Sequence, residues 1–342
     1  MNLLSSIDIG IDLGTANTII TVGGKGIVVN EPSVVAYDKK KKQVLAVGEE
    51  AYRMLGRTPE YIVAVKPLAD GVISDNIMAE AMISEFIRKV SGSMLLKPRI
   101  IICVPSSVTD VECRAVVEAA LSAGARKVFL IEEPIAALLG AGVDISKPNG
   151  TMVVDIGGGT ADVAVVSFNG IVKSESVKVA GNKFDDAIVR YVSQKYKILI
   201  GEKTAENAKK TITNVFDPTG EVKMTVKGRH LIKGLPVTEE INDLDIAEAV
   251  KELVGEIVDS VKAVLEVTPP ELVGDIQQNG IVLTGGGALL GGLDKVISRE
   301  TRVPCRVADN ALECVARGVS KAFGLSEELL DGFEKISLYR YK

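Results

Sequence analysis

The stretch from Asp8 to Thr18, DIGIDLGTANT, is an apolar run that ends in an aspartate, Asp12, and then breaks into Gly, Thr and Asn. A second stretch, MVVDIGGGTAD from Met152 to Asp162, has the same design around Asp155. Each reads as strand, aspartate, tight turn. The two aspartates lie 143 positions apart, under half of the 342-residue chain, so one half is expected to echo the other. A chain of this length exceeds what one core usually serves. Two related α/β domains with a cleft between them are the predicted architecture.

The flanking sequence fits that plan. The run 7–29 predicts a hairpin turning near GGKG, and EPSVVAY predicts a strand before a lysine-rich turn, Lys39 to Lys42. Ile77, Met82, Ile83, Phe86, Ile87 and Val90 recur at helical spacing. RIIICVP, which contains Cys103, reads as a buried strand. Thr109 and Glu112 form a capping box ahead of a helix that Gly124 ends. Pro134 sits near the first turn of the next helix. In the second half, helices are predicted around 185–196, 204–215 and 246–265. NGIVLTGGGALLGGL reads as strand, glycine turn, helix.

Composition excludes several functions. Hydrophobic residues at 46% suffice for large cores, and a net charge of −5 argues against nucleic acid as the main partner. The single histidine, His230, disfavours a Ser-His-Asp triad or a His-rich metal site. Four cysteines without CxxC spacing suggest a reducing cytoplasm. No signal peptide is evident, and no apolar run reaches the roughly 20 residues a spanning helix needs. The chain is not expected to cross a membrane, which leaves a place on its surface open.

Turns rich in Gly and Thr expose backbone N–H groups and cradle phosphates. DLGTANT, DIGGGTAD and LTGGGALL are the three candidates. Singly, each reads first as an ordinary strand connection. Two acid-bearing turns in repeated halves suggest a polyphosphate clasped from both sides, and the third turn, lacking a leading acid, suits a nucleoside. Asp12 and Asp155 repel phosphate, so they either cap their own turns or hold Mg2+, through water. Their recurrence favours the metal.

IDLGTANT, EPSVVA, GRTPEYI, VFLIEEPIAA, VVDIGGGTADVAV, IGEKTAE and LTGGGALL, in that order over nearly the whole chain, resemble the MreB family of bacterial actins. The resemblance implies an actin-like ATPase fold: two ribonuclease-H-like domains with smaller inserted subdomains around a nucleotide cleft. The implied divisions are subdomain IA (1–31 and 66–144, with about 313–342 packing back), IB (32–65), IIA (145–180 and 244–312) and IIB (181–243). It implies ATP or ADP with Mg2+, slow hydrolysis linked to polymerisation, and paired antiparallel filaments on the inner face of the cell membrane. The setting is cell shape, or shape and swimming in a wall-less helical bacterium, alongside other shape or motility proteins.

Carried onto this sequence, Gly14, Thr15, Ala16 and Asn17 line the first phosphate turn and Gly157, Gly158, Gly159 and Thr160 the second. Glu206, Asn207, Ala208 and Lys209 approach ribose or base, and Gly285, Gly286, Gly287 and Ala288 pass the adenine. The first turn carries no lysine, so backbone donors and Mg2+ must neutralise the phosphates. Glu133 is expected to orient the attacking water with help from Thr160; its competing role is to meet the dipole of the helix it begins. Glu132 is read as capping only. Many relatives have TTEV where this chain has TADV, so Ala161 and Asp162 depart from the pattern.

Met94, Leu95 and Leu96, flanked by Arg88, Lys89, Lys97 and Arg99, either lead the next strand inward or project as a loop; the resemblance favours a loop that dips into the bilayer. The tail FEKISLYRYK, with Lys335, Arg340 and Lys342, suggests a second contact with anionic lipid. The rival functions are a non-hydrolysing filament subunit and a small-molecule kinase of the same superfamily. A chaperone ATPase is disfavoured, because no peptide-binding domain follows Phe323.

Overall fold

A computed structural model describes residues 7–69, 71–91, 97–106 and 108–324. They fall into two compact units, one holding the described residues within Met1–Pro148, Ser167–Ile171 and Glu313–Lys342, the other Asn149–Val166 and Val172–Leu312. Each has its own hydrophobic core.

The first unit opens with β1 (Asp8–Leu13), β2 (Asn17–Val22) and β3 (Gly26–Pro32). The run 7–29 is therefore two successive turns rather than one hairpin, because Gly14 breaks the strand right after Leu13 as GGKG does after Val22. Ser33 and Val34 then split the predicted EPSVVAY strand, and β4 (Val35–Asp38) pairs with β5 (Gln43–Val47) and, beyond helix α1 (Glu49–Met54), with β6 (Ile62–Val65). The short pair β7 (Leu68–Ala69) and β8 (Val72–Ile73) leads to α2 (Asn76–Ser91). Met82, Ile83, Phe86 and Ile87 of α2 are buried as the spacing predicts, but Ile77 is 72% exposed, because it lies off the stripe those residues form. Then follow β9 (Arg99–Val104), α3 (Asp110–Ser122), β10 (Lys127–Glu132) and α4 (Glu133–Gly140). The capping box of Thr109 and Glu112 is present, and Pro134 lies in the first turn of α4.

The second unit repeats the pattern. β11 (Thr151–Ile156), β12 (Ala161–Ser167) and β13 (Gly170–Val177) form its meander, followed by α5 (Gly181–Tyr196), β14 (Ile198–Leu199) and α6 (Glu202–Ile212). A hairpin of β15 (Lys223–His230) and β16 (Pro236–Asn242) precedes α7 (Asp243–Glu266), α8 (Pro270–Asn279) and β17 (Ile281–Thr284). A single 3-10 turn, Gly286–Leu289, stands where LTGGGALL suggested a helix start; the next helix, α9 (Leu293–Thr301), begins after Gly291 and Gly292, and β18 (Cys305–Val307) closes the sheet. Helix α10 (Cys314–Ala322) belongs to the first unit. Among the described residues no helix is long and apolar enough to cross a membrane.

The repeat is topological. One sheet has the order β3-β2-β1-β9-β10, the other β13-β12-β11-β17-β18. In both, the first strand runs antiparallel to the second and parallel to a later one. Leu13 pairs with Thr18 and Ile156 with Ala161, so each turn spans four residues and each aspartate sits one residue before the last pair.

Within the first unit, α4 lies against α10 at backbone contact. A Cβ on Gly140 would stand 1.7 Å from the Cys314 carbonyl, and one on Gly318 would stand 1.7 Å from that of Ala136. Glycine at both crossings thus fixes the helix that Glu133 begins. Gly255, inside α7, has open space where a Cβ would go. Gly318→Ala is therefore expected to lower the urea midpoint, at the upper end of the about 1–3 kcal/mol that overpacking costs. Gly255→Ala should raise it by about 0.5–1 kcal/mol through helix propensity. Equal shifts for the two would contradict the packing.

Candidate functional site

In the first unit the turn after Asp12 is held from beneath by a residue the motif does not contain. The Ser33 hydroxyl donates to the Gly14 carbonyl at 2.6 Å, and the Ser33 N–H donates to the Ala16 carbonyl at 2.9 Å. Thr18 and Ser33 hydroxyls are 2.9 Å apart. These bonds hold two of the turn's carbonyls on the Ser33 side. A Cβ on Gly14 would stand 2.6 Å from the Asn17 carbonyl, so the tight turn requires glycine there. Thr15 is buried, and its hydroxyl accepts the Gly71 N–H at 3.3 Å. Ala16 is exposed, and the Asn17 amide donates to Asn30 at 2.9 Å. Asp12 is half-buried.

In the second unit the Gly157 N–H donates to the Thr160 carbonyl at 2.9 Å, closing the equivalent turn. Gly158 is half-buried, and Gly159 and Thr160 are buried. Asp155 is only 5% exposed, and its Oδ1 accepts the Thr284 hydroxyl at 2.7 Å. The fully buried Asp162 lies directly across the ladder from it, where Ile19 faces Asp12 in the first unit. Burial pushes the Asp155 carboxyl up from 3.8 to about 7, against the Thr284 bond; the facing Asp162 charge adds to the rise.

LTGGGALL lies on the same strand end. A Cβ on Gly285 would stand 2.3 Å from the Ile156 carbonyl and 2.9 Å from Asp155 Oδ1, and one on Gly287 would stand 2.2 Å from Ile156 Cγ2. Gly285 also has φ +79°. These two glycines are therefore required by packing onto β11. Gly286 is exposed, and Ala288 is buried in the core. The second and third turns thus meet, through Asp155 and Ile156.

The segment 206–209 divides. Ala208 is fully buried in the core of its unit: on α6 it falls on the face with Ala205 and Ile212. Glu206 pairs with Lys210 at 2.6 Å, and Asn207 is exposed. Lys209 turns back toward α5, donating to the Gly181 carbonyl at 2.8 Å and pairing with Asp185 at 2.8 Å. Glu133 is the first residue of α4 and half-buried; Glu132 is its N-cap and makes no side-chain capping bond. Met94, Leu95, Leu96, Lys335, Arg340 and Lys342 lie outside the described residues.

For Mg2+, no cluster of three or more His, Cys, Asp or Glu among the described residues is placed to cage a metal. Mg2+ keeps several waters and takes one or two carboxylates beside phosphate oxygens. A carboxylate beside a glycine turn, as Asp12 is in one unit and Asp155 in the other, fits that chemistry. A dication near Asp155 would also offset the burial that raises its pKa.

Two sheets of one strand order, each with an acid-bearing Gly/Thr turn at the same register, define an actin-like protein. The chain belongs to the MreB/Mbl family, whose model, described as MreB/Mbl protein, matches residues 6–330. It is 51% identical over 330 residues to the cell shape-determining protein Mbl of Bacillus subtilis, covering 96% of this chain and 97% of that one. It is likewise 51% identical over 322 residues to the cell shape-determining protein MreB of Escherichia coli, covering 92% of each. Among solved structures it resembles MreB5 of Spiroplasma citri bound to ADP, with TM-score 0.89, 40% identity and coverage of 96% of this chain and 99% of that one. The AMPPNP-bound form of that protein matches with TM-score 0.87 and 39% identity, over 97% of this chain and 99% of that one.

The raised Asp155 pKa has a pH consequence. Between about pH 4 and 7 the native state holds a proton that the unfolded state has released, so this contribution to stability is full below that window and lost as pH rises through it. Without metal or nucleotide, wild-type Tm should fall relative to that of Asp155→Asn across the window. Parallel Tm curves would contradict the burial of this carboxyl.

Proposed function

We propose that this protein is a cytoskeletal ATPase that binds Mg2+–ATP at its acid-bearing turns and assembles with copies of itself to govern cell shape. The observation that carries the reading is the shared register of Asp12 and Asp155 before four-residue turns in both units. Family membership and the nucleotides named for the MreB5 structures support it.

The N–H groups of 14–17 and 157–160 bind phosphate oxygens, and Asp12 and Asp155 hold the ion through water. Bound Mg2+ supplies neutralisation of the phosphate charge. The Glu133 carboxylate accepts a hydrogen bond from a water and aims its lone pair at the γ-phosphorus, with Thr160 steadying the same water. The new bond runs from water oxygen to phosphorus as a water proton passes to the Glu133 carboxylate, the bond from phosphorus to the bridging oxygen breaks, and ADP and phosphate leave, the proton passing on to solvent. Glu206 and Asn207 meet ribose or base, and Gly286 passes the adenine.

Assembly has support at the tip of the β15–β16 hairpin, where Leu231, Ile232 and Leu235 are 46, 80 and 63% exposed. His230 Nδ1 accepts the N–H groups of Ile232 and Lys233 at 3.2 and 3.3 Å, which fixes this apolar tip in place. Such a surface is of the kind a neighbouring copy covers. The membrane contact proposed for Met94–Leu96 and the tail rests on the sequence and the family resemblance, and places the filament on the cytoplasmic face of the cell membrane.

Glu133→Ala should lower phosphate release by about 100-fold or more, the scale of a lost general base, with binding of a fluorescent ATP analogue kept. Unchanged turnover would remove Glu133 from the reaction. Ile232→Lys should abolish ATP-dependent filaments in negative-stain images while nucleotide binding persists; normal filaments would exclude the tip from the contact.

A further inference from the structure

Lys209 is enclosed: its side chain is 14% exposed, and that of its partner Asp185 is 13%. The ammonium donates to the Gly181 carbonyl at 2.8 Å and lies 2.8 Å from Asp185 Oδ1. Both partners belong to the first two turns of α5. That end of α5 is itself bonded to the second phosphate turn, since the Gly181 N–H donates to the Gly157 carbonyl at 3.1 Å and the Asn182 N–H to the Gly158 carbonyl at 2.8 Å. Three pieces of chain converge on Gly181. A Cβ there would stand 3.3 Å from the Gly157 carbonyl, 3.5 Å from Lys209 Nζ and 3.6 Å from Gly158 Cα.

The location is an odd one for a cation. The start of a helix carries partial positive charge, so an ammonium there is disfavoured unless it is compensated. Asp185 and the Gly181 carbonyl supply that compensation. One ammonium donor is thereby bonded to the Gly181 carbonyl, with the ion pair to Asp185 beside it. Ala180, the N-cap of α5, makes no side-chain cap, so the grip on this end comes from the Gly157–Gly158 carbonyls on one side and from Lys209 on the other.

We propose that Lys209 is a positioning residue that latches α6 onto the first turn of α5 and so holds the Gly157–Thr160 turn in its phosphate-binding shape. The latch rests on the nucleotide reading above and deepens it. It ties the helix assigned to ribose or base to the turn assigned to phosphate, through one ammonium bonded to the Gly181 carbonyl and ion-paired with Asp185. Its loss loosens the phosphate end of the site and leaves base discrimination as it was.

The test titrates the full chain, with Mg2+, against fluorescent ATP and GTP analogues, with inorganic tripolyphosphate as competitor. It compares wild type with Lys209→Met, Lys209→Arg, Asp185→Asn and the Met/Asn double variant. Lys209→Met and Asp185→Asn should each weaken all three ligands by a common factor of about 10 to 100, the range for a lost charged hydrogen bond. The double variant should be no weaker than the worse single one, as expected for one coupled unit, and Lys209→Arg should recover part of the loss. A changed ATP-to-GTP ratio in Lys209→Met, or full affinity in Asp185→Asn, would overturn the latch and make Lys209 a direct ligand. Unchanged affinity in every variant would overturn it as well. Should Lys209→Met fail to fold, Asp185→Asn and Lys209→Arg carry the same comparison. A wild-type chain that binds none of the three ligands would instead overturn the nucleotide reading itself.

Discussion

A carboxylate buried at the end of a buried strand is the constraint on which the second unit is built. Asp155 accepts the Thr284 hydroxyl, faces Asp162 across the ladder and has Gly285 pressed against it. Keeping a carboxylate in such a place is costly unless it is hydrogen-bonded or neutralised. Thr284 provides the first remedy, and a proton or a nearby dication provides the second. The same crowding dictates the glycines that follow β17, because any side chain at 285 or 287 would strike the backbone or side chain of Ile156. One strand end therefore ties two glycine turns together, and α5, bonded to Gly157 and Gly158, adds a third segment.

The first unit solves the same geometrical problem with different residues. Its aspartate precedes a turn of the same length at the same register, but Ile19 stands where the second unit has Asp162. Ser33, arriving from beyond β3, takes the turn's carbonyls. The fold has preserved strand order and turn position while the supporting bonds have diverged. Behind this turn, α4 and α10 cross at glycine on both sides, which leaves little freedom for the helix bearing Glu133.

Local features were readable from the sequence because their causes are local. The capping box at Thr109 and Glu112, Pro134 in the first turn of α4, and the aspartate-bearing turns depend on residues within a few positions of one another. The supports of the site were not readable in that way. Ser33 lies 19 positions from Gly14, Thr284 lies 129 from Asp155, and Gly181 lies 28 from Lys209. Such pairings are set by sheet topology, and no spacing rule announces them. In the 206–209 segment a helix sends consecutive residues to different faces, and Ala208 goes to the core. Ile77 shows the same for an apolar residue at the margin of a helical stripe. A glycine run likewise conceals its reasons: Gly285 and Gly287 serve packing, while Gly286 alone of the three faces outward.

The central proposal is that both acid-bearing turns bind nucleotide phosphate. Amide hydrogen exchange, followed by mass spectrometry while Mg2+–AMPPNP is titrated in, tests it most directly. Protection at 14–17 and at 157–160 should rise together, with one midpoint, and vanish together when the nucleotide is omitted. Protection confined to one turn, or appearing at neither while the nucleotide is bound, would contradict it.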